Sequence, residues 1–240
     1  MFLKERFEEF VFAIITAAGE SQRFGGLKKQ FLKICKKYIL EISVKKLLLC
    51  GINVVAVATS KSDINTAKKI LNKFKEKTIF LEGGKTRQET VKKAFLTCRK
   101  KFKYAKTVLI HDAARPFFDV ETAKKLIETA KEKKAAILAC PIYDTIKYVK
   151  NNKVKQTLNR DKVFVAQTPQ AFSASLYEKA LKLTENLNLK LTDDSSLLEQ
   201  INVKVSLVKS SAYNFKITTK EDLKYAEFLF LKEEQKICLK

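Results

Sequence analysis

Gly19, Arg23, Gly25, Gly26, Lys28 and Lys29 crowd into one short segment directly after the apolar run Phe10 to Ile15. Glycines let a backbone approach a polyphosphate closely and the three cations offset its charge, so this spacing suits phosphate binding. It is neither the Gly-Lys-Ser/Thr of a Walker loop nor a GxGxxG dinucleotide fingerprint. A solvated basic turn is the plain alternative. A second turn, Ile110 to Pro116, sets Asp112 and Arg115 among small residues. Asp112 suits a hydrated Mg²⁺, a substrate hydroxyl, or a loop cap paired with Arg115. His111 is the only histidine, which excludes multi-histidine metal sites and favours a structural role for it. In Gly83-Gly84-Lys85-Thr86-Arg87-Gln88-Glu89-Thr90 a tight turn precedes a helix whose first amides can meet anions or nucleobase edges, or simply be capped.

These segments need elements to hold them. Phe10 to Ile15 reads as a strand covered on both faces. Ile39 to Leu49 has mostly helical spacing and ends at Gly51, followed by a buried strand at Val54 to Ala58. A helix is expected over Asp63 to Phe74, a strand over Thr78 to Leu81 and a helix over Thr86 to Cys98. The alternation continues with a strand at Thr107 to His111, a helix at Val120 to Glu132 and a strand at Ala135 to Cys140. This is the α/β pattern of a Rossmann-like, mostly parallel sheet with helices on both faces. The basic loop and Asp112 then leave the same sheet edge, where open α/β sheets bind ligands.

The alternation breaks after Pro141. Thr145 to Val149 and Lys153 to Leu158 flank Asn151-Asn152, which predicts a protruding two-stranded β-arm over residues 142–162. Such an arm is marginal alone, so it packs either on a second subunit or on its own domain. Beyond it are expected a short strand at Phe164 to Ala166, helices at Ser173 to Leu183 and Asp193 to Gln200, and a strand at Val203 to Val208. A last helix runs from Thr218 or Thr219 to about Glu234, with Thr218 and Glu221 at capping-box spacing.

With 240 residues, 46% of them hydrophobic, the chain can bury a sizeable core as a single domain. Met1 to Phe10 carries charges of both signs, so neither a secretory signal nor a membrane span is expected, and a cytoplasmic location follows. Five scattered cysteines with no CxxC spacing suggest neither a disulfide framework nor a zinc site. The net charge of +22 invites a nucleic-acid reading. Its lysines spread over the whole length without an aromatic-interleaved cluster, so no nucleic-acid partner is expected. The charge instead favours encounter with anionic small substrates.

Taken together and in order, HDAARP at His111 to Pro116, QTPQAF at Gln167 to Phe172 and FKIT at Phe215 to Thr218 followed by Glu221-Asp222-Leu223 resemble one family. It is the 2-C-methyl-D-erythritol 4-phosphate cytidylyltransferases of non-mevalonate isoprenoid synthesis, and the resemblance spans Val11 to Phe228.

The resemblance implies an enzyme that joins CTP to 2-C-methyl-D-erythritol 4-phosphate with Mg²⁺ and releases pyrophosphate, the substrate phosphate attacking the α-phosphorus directly. Arg23 and Lys29 match the family's triphosphate-binding loop and Lys216 its α-phosphate lysine, the three catalytic positions. Ala17, Ala18, Gly19, Gly84, Lys85 and Thr90 match nucleotide contacts, Thr90 standing where serine is usual. Asp112, Arg115, Thr168 and Thr192 match the methylerythritol phosphate pocket. Thr145 and Arg160 match arm residues that reach the substrate phosphate from a partner, which implies a homodimer. Asp112 is the one candidate metal ligand. Thr16 stands where many members have proline or valine, and Lys28 replaces a proline that would stiffen the loop, which leaves Lys29 less preorganised or has Lys28 share part of its role.

Two rivals remain open. The cytidylyltransferases acting on ribitol or ribulose 5-phosphate share the fold, basic loop and TPQ segment. A basic nucleic-acid-binding protein is the reading from another class.

Overall fold

The computed structural model describes residues 9–19, 28–185, 187 and 191–238. Its centre is a seven-stranded sheet. In chain order the elements are β1 (Val11–Thr16), the short strands β2 (Lys33–Ile34) and β3 (Lys37–Tyr38), α1 (Ile39–Leu49), β4 (Val54–Thr59), α2 (Ile64–Ile70), β5 (Thr78–Glu82), α3 (Arg87–Lys101) and β6 (Thr107–Asp112). There follow α4 (Val120–Lys133), β7 (Ala135–Pro141), β8 (Ile146–Lys150), β9 (Lys153–Leu158), β10 (Phe164–Ser173), α5 (Ala174–Leu183), α6 (Ser195–Glu199), β11 (Ser206–Lys209) and α7 (Lys220–Cys238).

The strand order is β11-β7-β10-β6-β1-β4-β5, and every pairing is parallel except the two made by β10. From β1 the chain goes outward to β4 and β5, then crosses back to β6 on the other side of β1. This reversal opens a crevice beyond the carboxyl ends of β1 and β6, the place where doubly wound sheets bind ligands. In register there, Thr16 lies opposite Asp112.

Side chains of β1 alternate between two cores. Ala13 and Ile15 face α1, α2 and α4 through residues such as Val44, Ala67 and Leu126. Phe12 and Ile14 face α3 and α5 through Phe95, Cys98 and Tyr177. Both layers exclude water, so the continuous apolar reading of the parallel strands holds. A third cluster packs α7 (Ala226, Phe230) on Ile34, Ile39 and Ile217. Burial pushes the thiols of Cys50 and Cys98 up to about 12, as befits packing residues.

Three local expectations change, and one hairpin lies outside them. The helix read over Asp63 to Phe74 stops at Ile70 and continues as a 3₁₀ stretch, with Phe74 out of helical geometry. The hairpin β2–β3 is too short to leave a periodic signal. The strand read at Phe164 to Ala166 is the start of the ten-residue β10, which pairs antiparallel with both β6 and β7 and takes in the Gln167 to Phe172 motif. The cap of α7 uses Thr219 and Asp222: the Asp222 N–H donates to Thr219 Oγ1 at 3.2 Å and its carboxylate accepts the Thr219 N–H at 2.9 Å. Thr218 and Glu221 do not form that box; Thr218 offers its own N–H to Asp222.

The arm forms as expected, β8 pairing antiparallel with β9. Asn151 and Asn152 both take positive φ, 50° and 57°, as a two-residue hairpin turn requires. Its side chains Tyr148, Val149 and Val154 are exposed.

Candidate active site

The crevice between β1 and β6 is built around Asp112. The parallel register with β1 ends at this residue, and the strand delivers its carboxylate into the opening while burying all but 6% of its surface. Oδ1 accepts from Arg87 Nε at 2.8 Å and from Thr16 Oγ1 at 3.3 Å. Oδ2 accepts from Lys216 Nζ at 2.7 Å, with Arg115 Nε 3.8 Å away. Burial disfavours the carboxylate charge, but Arg87 and Lys216 more than offset this and hold its pKa well below the usual carboxylate range.

The surrounding groups are positioned from distant parts of the chain. Arg115 Nη1 donates to the Asn214 carbonyl at 2.9 Å, and Asn214 Nδ2 donates to Gln167 Oε1 and the Thr168 carbonyl at 3.1 and 3.0 Å. The FKIT segment is thereby tied to both the HDAARP turn and β10, which brings Lys216 to Asp112. His111 points away from the crevice, its ring edge-on to Phe118 and Nδ1 3.1 Å from Thr168 Oγ1. Burial pulls its pKa down to about 3 despite the pull of Asp112, leaving a neutral imidazole.

Along the other rim, the Ala17 carbonyl accepts from Gln30 Nε2 at 2.7 Å and from Thr59 Oγ1 at 3.2 Å. This anchors the loop's return beside Lys29, which opens a 3₁₀ turn at Lys29–Phe31. Arg23, Gly25 and Gly26 lie outside the described residues. The Lys28 ammonium is bound by both oxygens of Asp63, at 2.7 and 2.6 Å. The φ of Lys28, −72°, is one that a proline ring imposes, so the substitution keeps the backbone geometry.

Gly83 packs so tightly that an added Cβ would sit 2.7 Å from Ala18 Cβ, which draws the turn before α3 against the end of β1. The turn amides just before α3 are already engaged by its own side chains. Gly84 N–H donates to Thr90 Oγ1 at 2.9 Å and Lys85 N–H to Glu89 Oε2 at 2.8 Å. The Thr90 hydroxyl in turn donates to the Thr86 carbonyl at 2.8 Å. A nucleotide that uses these amides must displace the Thr90 and Glu89 side chains.

Arg87 and Asp194 carry none of the sequence expectations, yet they complete the network. Arg87 Nη2 lies 2.7 Å from Asp194 Oδ2, and Tyr177 Oη donates to Asp194 Oδ1 at 3.0 Å. The available signal was Arg87 itself, because a cation in the first turn of a helix opposes the dipole and calls for a carboxylate partner. Thr192 is exposed and lines a narrow cavity of about 70 Å³ with Arg87, Asp193, Asp194 and Tyr177. A larger cavity of about 360 Å³ opens at the opposite end of the sheet, beside Thr107 and Ser173, away from all of these groups.

At the arm, Arg160 Nη1 donates to the Tyr143 carbonyl at 2.6 Å, closing the arm's base near the exposed Thr145. Across the arm, Lys147 Nζ donates to Thr157 Oγ1 at 2.7 Å. Both oxygens of Asp112, the one candidate metal ligand, are held by side-chain cations in this arrangement. Among the described residues no cluster of three or more acidic, histidine or cysteine side chains could hold one.

Comparison with known proteins agrees with this architecture. The family model described as 2-C-methyl-D-erythritol 4-phosphate cytidylyltransferase matches residues 11–232. The protein of that name from Halalkalibacterium halodurans is 38% identical over 229 residues, covering 93% of this chain and 98% of its own. That of Thermosipho africanus is 36% identical, covering 89% and 95%. The crystal structure of 4-diphosphocytidyl-2C-methyl-D-erythritol synthase from Anaerococcus prevotii superposes with a TM-score of 0.82 at 32% identity, covering 93% of this chain and 96% of that one. Matched over nearly its whole length in sequence and in fold, this chain belongs to the 2-C-methyl-D-erythritol 4-phosphate cytidylyltransferase family.

Proposed function

We propose a division of labour among the crevice residues for the family's reaction, the joining of CTP and 2-C-methyl-D-erythritol 4-phosphate into 4-diphosphocytidyl-2-C-methyl-D-erythritol. A phosphate oxygen of the alcohol phosphate attacks the α-phosphorus, the bond to the β-phosphate breaks, and pyrophosphate leaves with the negative charge. Such a displacement needs positioning and cations where charge accumulates, more than covalent help from the protein. Lys216 serves the α-phosphate, and Lys29 with Arg23 serves the triphosphate. The carboxyl ends of β1 and β5 cradle the nucleotide at Ala17, Ala18, Gly19, Gly84, Lys85 and Thr90. Asp112, Arg115, Thr168 and Thr192 form the acceptor side.

The observation that carries this reading is the convergence of Lys216 on Asp112 at 2.7 Å, from a segment 104 residues later in the chain, at the switch point of the sheet. Mg²⁺ enters with the nucleotide, bound to its phosphates, since these ions keep several waters and take substrate phosphates with few protein carboxylates. The exposed arm, with Tyr148, Val149 and Val154 on its surface, supports a homodimer in which Thr145 and Arg160 reach the partner's crevice.

The test is pyrophosphate release from CTP and Mg²⁺ with methylerythritol phosphate, ribitol phosphate and ribulose phosphate in parallel. Release with the first alone is expected. Release only with a pentitol or pentulose phosphate would move the substrate, and release with none would overturn the activity.

A further inference from the structure

Lys216 faces a conflict. To serve a phosphate its ammonium must leave Asp112, a carboxylate almost wholly buried at the end of β6. A buried charge stripped of its partner costs several kcal/mol, so a Lys216–Asp112 pair standing alone would hold the lysine back.

Arg87 resolves this. Its guanidinium spans two buried carboxylates, reaching Asp112 at 2.8 Å and Asp194 at 2.7 Å. The planar fork is fixed at both ends, whereas the Lys216 side chain is 37% exposed on a flexible stem. Asp194 is itself held by the Tyr177 hydroxyl at 3.0 Å, and its backbone N–H donates to Gln170 Oε1 at 3.2 Å. The bridge is therefore anchored in β10 and α5. Asp112 keeps one cation in place whatever Lys216 does.

We propose that Arg87 is a positioning residue that frees Lys216 for the phosphate by remaining as the counter-ion of Asp112. It touches no reacting atom; it acts through the carboxylate. This rests on the reading of Lys216 as the phosphate cation, but the coupling of the three side chains can be measured without any turnover.

Two variants should move Lys216 in opposite directions. In Arg87→Gln, Asp112 keeps only Lys216 and the more distant Arg115, at 3.8 Å, and grips Lys216 more tightly. In Asp194→Asn, Arg87 serves Asp112 alone and Lys216 loosens. The first readout is acetylation of Lys216 by acetic anhydride at a fixed mildly alkaline pH, followed by mass spectrometry of the intact fold. It should slow by at least about threefold in Arg87→Gln and quicken in Asp194→Asn. The second is turnover, where Arg87→Gln should lower kcat about tenfold or more with KM for CTP little changed, and Arg87→Lys should recover part of it. Unchanged Lys216 labelling in a folded Arg87→Gln or Asp194→Asn protein would overturn the proposal. So would a fall in kcat matched only by a fall in melting temperature. If Arg87→Gln does not fold, the Asp194→Asn labelling decides alone. Altered labelling without turnover in the parent would sink the activity and leave the coupling standing.

Discussion

Thr168 and Asp112 are locked together across the antiparallel pair β6–β10: the Asp112 backbone N–H donates to Thr168 Oγ1 at 3.0 Å, and the same hydroxyl lies 3.1 Å from His111 Nδ1. One side chain thus fixes the end of β6 that presents the carboxylate. Thr168→Val keeps the shape and strands two buried polar groups, and should destabilise the fold by about 1–3 kcal/mol. Thr168→Ser should recover most of that. Urea unfolding of the three proteins checks it, and equal midpoints for parent and Thr168→Val would refute the structural role.

His111 should make stability depend on pH. Its folded-state pKa of about 3 lies below the ordinary 6.5, so between these values the unfolded chain binds more protons than the native one. Stability from this group is complete above pH 6.5 and is lost as pH falls toward 3, by at most about 1.4 kcal/mol per pH unit. Asp112, held below its ordinary range, adds a loss only at the acid end of that window. Denaturant titrations across this range should show a shallower slope for His111→Gln than for the parent, and parallel slopes would contradict the burial argument.

Removing Lys216 tests the crevice chemistry. In Lys216→Ala, Arg87 remains on Asp112, so the fold should survive. Turnover should fall about a hundredfold or more, as for loss of one charge-stabilising donor. Near-normal turnover in a protein with the parent's melting temperature would remove Lys216 from the mechanism.

The arm makes a prediction about assembly. Chains inactivated by Arg23→Ala and by Arg160→Ala, mixed and reassembled, should regain activity, because one composite site in each heterodimer escapes both lesions. Proven heterodimers without recovery would confine each site to one chain.

Lys28 and Asp63 mark a limit on the basic loop. With its ammonium bound to Asp63 at 2.6 Å and the pair partly exposed, Lys28→Ala should cost at most about 1 kcal/mol of stability. Turnover should stay within about threefold of the parent, whereas Lys29→Ala should lose far more. Equal losses in the two variants, measured at saturating CTP, would restore a direct role to Lys28.

The order of elements was legible in the sequence because parallel strands buried on both faces read as apolar runs and the helices between them keep their period. The hairpin turn at Asn151-Asn152 was legible for the same local reason, since few residues accept positive φ. The motif residues Asp112, Arg115, Thr168 and Lys216, which the fold brings together, were also singled out by sequence, with the sheet edge from which two of them emerge. What pairs with what was decided only by the tertiary structure. The antiparallel insertion of β10 places Thr168 beside Asp112, and no local pattern encodes the direction of a strand. Arg87, Asp112, Asp194 and Lys216 come from four separate segments, and their charges compensate one another only after the crossover from β5 to β6 has brought them together. Lys28 and Lys29 look alike in the chain, and only packing ties the first to Asp63. Hydrophobic periodicity acts over neighbours in sequence, whereas buried charges choose partners by proximity in space.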